Sequence, residues 1–162
     1  MDAEIHVREV GPPQRDLLVA MYDRFDPPGA AFGLPPHSAE GRRRWVGRTL
    51  GQRVNMAAFS TDGEVVGHCF LTAGQPGSAE MAVFVHQDSR RMRVGTALVQ
   101  ATLAWGAAAE MRRVWAVTPP DNRAALRLLM GCGFRLTRSD PEAELEIDLA
   151  ATVNWCCASP GT

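Results

Sequence analysis

Three arginines surround the point where an apolar helix is predicted to begin. Arg90, Arg91 and Arg93 stand in the segment SRRMRVGTALVQ (89–100), and Gly95 falls in the first helical turn. The N-terminus of a helix already carries a partial positive charge, so cations gathered there are unfavourable unless an anion joins them. The free N–H groups of a first helical turn bind phosphate, and arginine adds charged, fork-shaped donors. The segment therefore predicts a site for a phosphate-bearing ligand, with a solvated basic turn as the alternative.

A carboxylate begins the otherwise apolar segment AEMAVFV (79–85). Alternation along a strand sends Met81, Val83 and Val85 to one face, and Glu80, Ala82, Phe84 and His86 to the other. A carboxylate on an apolar strand is costly unless it lies at the rim or performs chemistry. Glu80 is therefore the candidate general base, and an exposed glutamate at a strand edge is the alternative.

The hydropathy pattern predicts the elements that position these residues. Alternating or apolar segments predict seven strands, and helical spacing predicts four helices, in the order β-α-α-β-β-β-α-β-α-β-β. A strand, helix, strand crossover requires a parallel pair, whereas the hairpins require antiparallel pairs. The predicted fold class is therefore α/β, with a mixed, mostly antiparallel twisted sheet flanked by helices. We expect one domain over residues 1–150 and a C-terminal tail at 151–162.

Two further features follow from the sequence: the buried face of the third helix and a loop after the first helix. The predicted buried face of the third helix consists of Val94, Leu98, Ala101, Trp105 and Ala108. The segment DPPGAAFGLPP (26–36) is rich in proline and glycine, which predicts a loop.

Composition excludes several classes of protein. The 162 residues carry a net charge of −1, which predicts no general attraction to nucleic acid or to anionic membranes. The 17 basic residues are all arginine. The four cysteines show no C-x-x-C spacing, and the four histidines show no metal-ligand spacing, so we expect neither a disulfide framework nor a metal. No apolar segment is long enough to span a membrane, and the N-terminus lacks the apolar region of a signal peptide, so we expect a cytoplasmic protein.

Two segments, RRMRVGTALV (90–99) and NRAALRLLMGCGF (122–134), follow one another along the chain. Together they resemble two motifs of the GNAT superfamily of acyl-CoA-dependent N-acetyltransferases. In RRMRVGTALV (90–99), Arg90 and Gly95 match the coenzyme-loop pattern Gln/Arg-x-x-Gly-x-Gly/Ala, while Arg93 stands where the first glycine is usual. In NRAALRLLMGCGF (122–134), a second signature of the superfamily is met by Asn122, Ala125, Leu128, Gly133 and Phe134. The order of the predicted elements is similar as well.

This resemblance implies a direct transfer of an acetyl group from acetyl-CoA, the co-substrate, to a primary amine in a ternary complex. Glu80 matches the base of the protein-acetylating members, so a protein lysine is the expected acceptor. The resemblance and the anion argument together assign coenzyme binding to Val83, Phe84, Val85, Arg90, Arg91, Arg93, Val94, Gly95, Thr96 and Asn122. Tyr22 and Asp26 are the candidates for contact with the acceptor.

Several alternatives remain open at this point. Many members of the superfamily have a tyrosine that protonates the departing thiolate, and Leu129 occupies its position here. The acceptor is alternatively a small-molecule amine, or the chain is a sensor that binds acyl-CoA without transferring the acyl group. Tyr22 is alternatively a core residue of the first helix. His86 is either a base or a structural contact, and Asn122 is alternatively only a cap of the last helix. A homodimer is compatible with the sequence.

Overall fold

The computed structural model describes residues 4–26 and 35–150. The strands are β1 (His6–Glu9), β2 (Val54–Phe59), β3 (Val65–Leu71), β4 (Ser78–Val85), β5 (Arg113–Thr118), β6 (Arg135–Arg138) and β7 (Ala143–Asp148). The helices are α1 (Arg15–Asp23), α2 (Ala39–Thr49), α3 (Val94–Ala108) and α4 (Arg123–Gly131), and a short 3₁₀ turn, Gln87–Ser89, follows β4. The predicted order of elements is confirmed. The predicted tail at 151–162 lies outside the described residues.

A single seven-stranded sheet has the order β1-β2-β3-β4-β5-β7-β6. The pairing of β4 with β5 is parallel and every other pairing is antiparallel, so the predicted mixed α/β fold is confirmed. The parallel pairing covers only Ser78–Glu80 against Arg113–Trp115. Beyond these residues β4 stays paired with β3, and β5 stays paired with β7. We call the gap between the unpaired ends of β4 and β5 the cleft.

Each face of the sheet has its own hydrophobic core. Met81 and Leu98 belong to the core between the sheet and helices α3 and α4. Leu18 and Val46 belong to the core between the sheet and helices α1 and α2. Burying one such side chain contributes about 1.5–3 kcal/mol to stability, so the two cores hold β4 firmly between them.

Helix α3 buries most of the predicted face, with Ala101 and Trp105 partly buried against the core, but not its last residue. Val94, Leu98, Thr102 and Gly106, each four residues apart, are buried, whereas Ala108 is exposed. The Thr102 hydroxyl donates a 2.8 Å hydrogen bond to the Leu98 carbonyl, which satisfies it inside the core. A Cβ on Gly106 would lie 3.2 Å from a methyl group of Leu149, so glycine permits the close contact. The expected face is therefore right at Val94 and Leu98 and wrong at Ala108.

No helix in residues 4–26 and 35–150 is long and apolar enough to cross a membrane.

Candidate active site

The register of β4 decides which of its backbone groups reach the cleft. The Thr72 N–H donates to the Glu80 carbonyl and the His86 N–H donates to the Val66 carbonyl, both at 2.9 Å. Backbone groups alternate between the two edges of an antiparallel strand, so even-numbered residues of β4 bond to β3. The N–H groups of Val83 and Val85 therefore point to the other edge, where pairing with β5 has ended.

Phe84 faces the site with its side chain only. Its backbone is paired with His68 of β3, so a backbone contact with a ligand is not available at this residue. Its ring packs against Tyr22, Phe25 and Trp45, with centroids 5.8, 5.9 and 5.8 Å away. These four rings form an aromatic wall between the sheet and helices α1 and α2.

Glu80 lies at the closed end of the cleft. It is the last residue of β4 that pairs with β5, and its partner there is Trp115. Its side chain shares the face of Phe84, as the alternation predicts, and it is half-buried. Burial raises the pKa of Glu80, and the neighbouring carboxylate of Glu142 raises it further. Both effects make Glu80 a stronger proton acceptor than an exposed glutamate.

The carboxylates on this face of the sheet differ in their partners. Glu144 pairs with Arg138 at 3.2 Å, and Glu146 lies 3.4 Å from the Arg135 guanidinium. Across the described residues, no cationic side chain forms an ion pair with Glu80 or Glu142. No cationic side chain among the described residues therefore neutralises the charge of these two carboxylates.

The turn before α3, residues 90–93, has the backbone shape that glycine usually supplies. Arg91 and Arg93 have φ angles of 63° and 60°, in the left-handed region. Arg93 thus takes the conformation that glycine adopts most easily, although its side chain makes this conformation costly. The Ala97 N–H is bonded to the Arg93 carbonyl at 3.0 Å.

The first turn of α3 presents free N–H groups. For Val94, Gly95 and Thr96, no acceptor of their N–H groups is found within the described ranges. Such free amides, beside a turn with left-handed residues, form a concavity that binds anions. The site residues predicted at this helix start therefore have the donors that a pyrophosphate requires.

Close packing places this turn against the sheet. A Cβ on Gly95 would lie 2.9 Å from a methyl group of Leu128 and 3.5 Å from a methyl group of Val85. A Cβ on Gly67 of β3 would lie 3.0 Å from a methyl group of Val94. The two glycines therefore let α3 begin directly against β3, the end of β4 and the middle of α4.

Arg90 is already bonded within the protein. Its Nε donates to the Val85 carbonyl at 3.1 Å, and its Nη2 donates to the Asp26 carbonyl at 2.6 Å. Its guanidinium also lies over the Phe25 ring, 5.7 Å from the centroid. Arg91 and Arg93 are exposed and make no side-chain hydrogen bond or ion pair to any residue that the structure describes. Of the three predicted arginines, Arg90 is therefore bonded within the protein, whereas the side chains of Arg91 and Arg93 have no such bond.

Gln87 and His86 attach the end of α1 to the end of β4. Gln87 Nε2 donates to the Arg24 carbonyl at 2.7 Å, and Gln87 Oε1 accepts from the Asp26 N–H at 3.0 Å. His86 Nε2 donates to the same Arg24 carbonyl at 3.1 Å, and His86 Nδ1 accepts from the Asp88 N–H at 3.3 Å. This geometry fits the structural role of His86. The sequence analysis missed Gln87, because nothing in its local sequence marks it.

Tyr22 is buried, and its hydroxyl is bonded inside the core. Its hydroxyl is 2.7 Å from His68 Nδ1, and His68 Nε2 is 2.8 Å from Asn55 Oδ1. Asn55 Nδ2 then donates to the Thr49 carbonyl at 3.0 Å. Burial lowers the pKa of His68 to about 3, so the ring is neutral and donates from Nε2 to Asn55. The contact predicted between Tyr22 and an acceptor is not available to this hydroxyl, whereas Asp26 is exposed.

The second motif forms the start and the core of α4. The Asn122 side chain accepts a 3.2 Å hydrogen bond from the Ala125 N–H and so caps the helix; its predicted contact with the coenzyme stays a prediction. Leu129 is only 2 % exposed and lies in the core between α4 and the sheet. The position of the tyrosine found in many members therefore holds no acid.

Among the described residues, no group of three or more histidine, cysteine, aspartate or glutamate side chains is placed to hold a metal ion. Cys69 and Cys132 are free thiols.

The sequence model of the acetyltransferase (GNAT) family matches residues 18–134. The chain belongs to the GNAT family. As a family member it is an acetyl-CoA-dependent acetyltransferase, which confirms the predicted family and enzyme class. A search of curated protein sequences finds no match.

Solved structures share the fold of this GNAT acetyltransferase. The GNAT domain of S. lividans PAT has a TM-score of 0.73 and 22% identity, with 89% of this chain and 90% of that chain covered. A phosphinothricin acetyltransferase from Sinorhizobium meliloti, solved with AcCoA, has a TM-score of 0.73 and 17% identity, with coverages of 91% and 89%. A chimera of the spermidine N-acetyltransferase SpeG from Vibrio cholerae with hSSAT has a TM-score of 0.73 and 12% identity, with coverages of 94% and 99%.

Proposed function

We propose that this acetyltransferase moves the acetyl group of acetyl-CoA to a primary amine in the cleft between β4 and β5, by direct attack in a ternary complex. The first candidate acceptor is a lysine side chain of a protein. One observation carries the proposal: Glu80 lies where the pairing of β4 with β5 ends, and the N–H groups of Val83 and Val85 point into the cleft beyond it.

Coenzyme binding is assigned to the helix start and to the free edge of β4. The amides of Val94, Gly95 and Thr96 would hold the pyrophosphate, with charged donors from Arg91 and Arg93. The amide-bearing arm of the coenzyme would pair with the backbone edge of Val83 and Val85, as a further strand does. Asn122 stays a predicted contact that also caps α4.

The chemistry needs a base because the acceptor arrives protonated. An amine with a pKa of about 10.4 is free in roughly one molecule per thousand at neutral pH. Glu80, whose pKa is raised by burial, accepts the proton, and the amine then attacks the thioester carbon. The N–H of Val83 or Val85 stabilises the carbonyl oxygen as it gains negative charge.

The leaving group departs without a protein acid. The nitrogen–carbon bond forms and the carbon–sulfur bond breaks, with its electron pair going to sulfur. The second proton that the nitrogen loses on becoming an amide passes to the thiolate, which leaves as the thiol of coenzyme A. A thiol pKa of about 8.5 makes the thiolate an acceptable leaving group. This agrees with the burial of Leu129, which puts no donor where many family members have a tyrosine.

The surroundings of Glu80 favour a cationic acceptor. Glu80 and Glu142 form no ion pair with the described residues, and the ring of Phe84 lies on the same face of β4. Carboxylates and aromatic rings both attract ammonium groups. Asp26, exposed after α1, stays a candidate for contact with the acceptor.

A small-molecule amine is the second candidate acceptor. Two structural neighbours are named for acceptors of this kind, phosphinothricin and spermidine. Both share the fold at low identity, so they support the substrate class without selecting between the two small molecules.

Turnover of acetyl-CoA against lysine peptides, spermidine and phosphinothricin tests the proposal. Glu80→Gln should lower kcat by about 10²- to 10⁴-fold and leave the affinity for acetyl-CoA unchanged. Glu144→Gln is the matched control, because Glu144 lies on the same side of the sheet and is paired with Arg138. The chain contains no lysine, so acetylation of its own lysines cannot contribute to the signal.

Two results would count against the proposal. Full turnover by Glu80→Gln would remove Glu80 as the base. Binding of acetyl-CoA without turnover of any amine would instead favour a sensor.

A further inference from the structure

We propose that Gln87 is a positioning residue that fixes the acceptor side of the cleft to its coenzyme side. The inference rests on the proposed function, in which the cleft receives acetyl-CoA on one side and the amine on the other. Gln87 belongs to the 3₁₀ turn that joins β4 to the basic turn before α3.

The Gln87 carboxamide uses both of its ends on the chain segment that follows α1. Nε2 donates to the Arg24 carbonyl at 2.7 Å, and Oε1 accepts from the Asp26 N–H at 3.0 Å. A carboxamide that bonds in this way to residues i and i+2 makes the two hydrogen bonds that one residue of a parallel strand would make. Gln87 alone contacts both ends of this segment among the side chains that the structure describes.

Two neighbours of Gln87 reinforce the attachment. His86 shares the Arg24 carbonyl at 3.1 Å, and Arg90 donates to the Asp26 carbonyl at 2.6 Å. Backbone carbonyls at a helix C-terminus lack partners within the helix and carry partial negative charge, so N–H donors are favourable there. The polar backbone groups just after α1 are therefore satisfied by the residues that lead into the coenzyme turn.

The attachment holds in place Phe25, which is buried, and Asp26, the predicted contact of the acceptor. Phe25 lies between the two residues that Gln87 holds, and its ring packs 5.9 Å from that of Phe84 in the aromatic wall. Asp26 is the exposed carboxylate at the same point. Without the carboxamide of Gln87, the end of α1 keeps fewer bonds to the turn that follows β4, so Phe25 and Asp26 are held less firmly beside Phe84.

Gln87 is only partly buried, so its replacement leaves no large core cavity. Gln87→Ala removes both bonds, whereas Gln87→Glu keeps an oxygen for the Asp26 N–H and loses the donor to Arg24. Gln52→Ala is the matched control, because Gln52 Oε1 accepts a 2.8 Å bond from the Ala73 N–H in the same way, outside the cleft.

Amide hydrogen exchange by NMR and steady-state kinetics together test the role. In Gln87→Ala, the Asp26 amide should exchange at least tenfold faster. KM for the acceptor should rise roughly three- to tenfold, which is the change in affinity that the loss of one or two hydrogen bonds produces. KM for acetyl-CoA should change less than twofold. Gln87→Glu should retain slow exchange at Asp26, and Gln52→Ala should affect the Ala73 amide alone.

Unchanged exchange at Asp26 in Gln87→Ala would overturn the proposal. An equal rise of both KM values, or a fall in kcat alone, would also overturn it, because a merely structural loss affects both substrates. The exchange measurement needs no acceptor and does not involve Glu80. Failure of Glu80→Gln to slow turnover would therefore contradict the proposed base while leaving the outcome for Gln87 to be read separately.

Discussion

The guanidinium of Arg90 donates a 2.6 Å hydrogen bond to the carbonyl oxygen of Asp26, 64 residues earlier in the chain. Arg90 is one of three arginines around the start of α3, yet its guanidinium binds the backbone after the end of α1. The carbonyl groups there carry partial negative charge, which makes the contact favourable. Arg91 and Arg93 are left to attract a ligand at the free amides of α3.

Alanine variants should separate these two kinds of arginine. Arg91→Ala and Arg93→Ala should each weaken acetyl-CoA binding about tenfold at low salt, because each removes a charged donor to phosphate. Arg90→Ala should change the affinity little and lower the free energy of unfolding by about 1 kcal/mol, since it removes bonds within the protein. Calorimetry and urea unfolding measure the two quantities. A larger loss of acetyl-CoA affinity in Arg90→Ala than in Arg93→Ala would contradict this division and would assign Arg90 to coenzyme binding.

The left-handed backbone at Arg93 gives a separate prediction. Arg93→Gly should raise the free energy of unfolding by up to about 1 kcal/mol, because glycine adopts a φ of 60° without steric cost. Glu110→Gly is the control: Glu110 also has a φ of 60°, and it follows the opposite end of α3. Both variants should be more stable than the wild type, and only Arg93→Gly should bind acetyl-CoA more weakly. A loss of stability in both would show that the turns carry no such strain.

The burial of Leu129 predicts that the missing tyrosine cannot simply be restored. Leu129→Tyr should lower the free energy of unfolding by about 1–3 kcal/mol through overpacking and should not raise kcat. Met130→Tyr, on the same helix at a side chain 53% exposed, should be tolerated. Urea unfolding and turnover are the measurements. A stable Leu129→Tyr variant with a higher kcat would show that this side chain reaches the departing sulfur.

The buried His68 should make folding sensitive to acid. Its pKa is lowered to about 3 by burial, so between about pH 6.5 and pH 3 the unfolded chain binds a proton that the folded chain does not. The contribution of His68 to the free energy of unfolding is therefore fully present above pH 6.5, and it falls as the pH is lowered towards 3. Between pH 7 and pH 5 the wild type should lose about 2 kcal/mol more than His68→Gln.

Urea unfolding at the two pH values checks this prediction for His68. His6→Gln is the control, since the His6 side chain is 66% exposed. Its loss of stability should match that of the wild type. An equal loss in His68→Gln and in the wild type would contradict the assignment of a neutral, buried ring.

Local patterns were sufficient for part of the fold and of the site. The alternation along β4 correctly separates Met81 from Glu80 and Phe84, because the two-residue period of a strand survives in any sheet. The motif beginning at Asn122 correctly predicts the start of α4, because its cap acts within a single turn.

Long-range contacts account for what the sequence analysis missed. Gln87 bonds to residues 61 and 63 positions earlier, and no local pattern reports such a partner. The prediction that Ala108 is buried failed, and Gly106, close to Leu149 from beyond β7, is buried near this end of the helix instead. The register that commits the backbone of Phe84 to β3 likewise follows from strand pairing, which composition does not determine.

Hydrogen exchange with and without acetyl-CoA tests the central claim most directly. The claim is that the free amides of the β4 edge and of the α3 start receive the coenzyme. Binding should slow exchange at Val83, Val85, Val94, Gly95 and Thr96, and it should leave the amides of β6 unchanged. Binding of acetyl-CoA with unchanged exchange at these five amides would contradict the account.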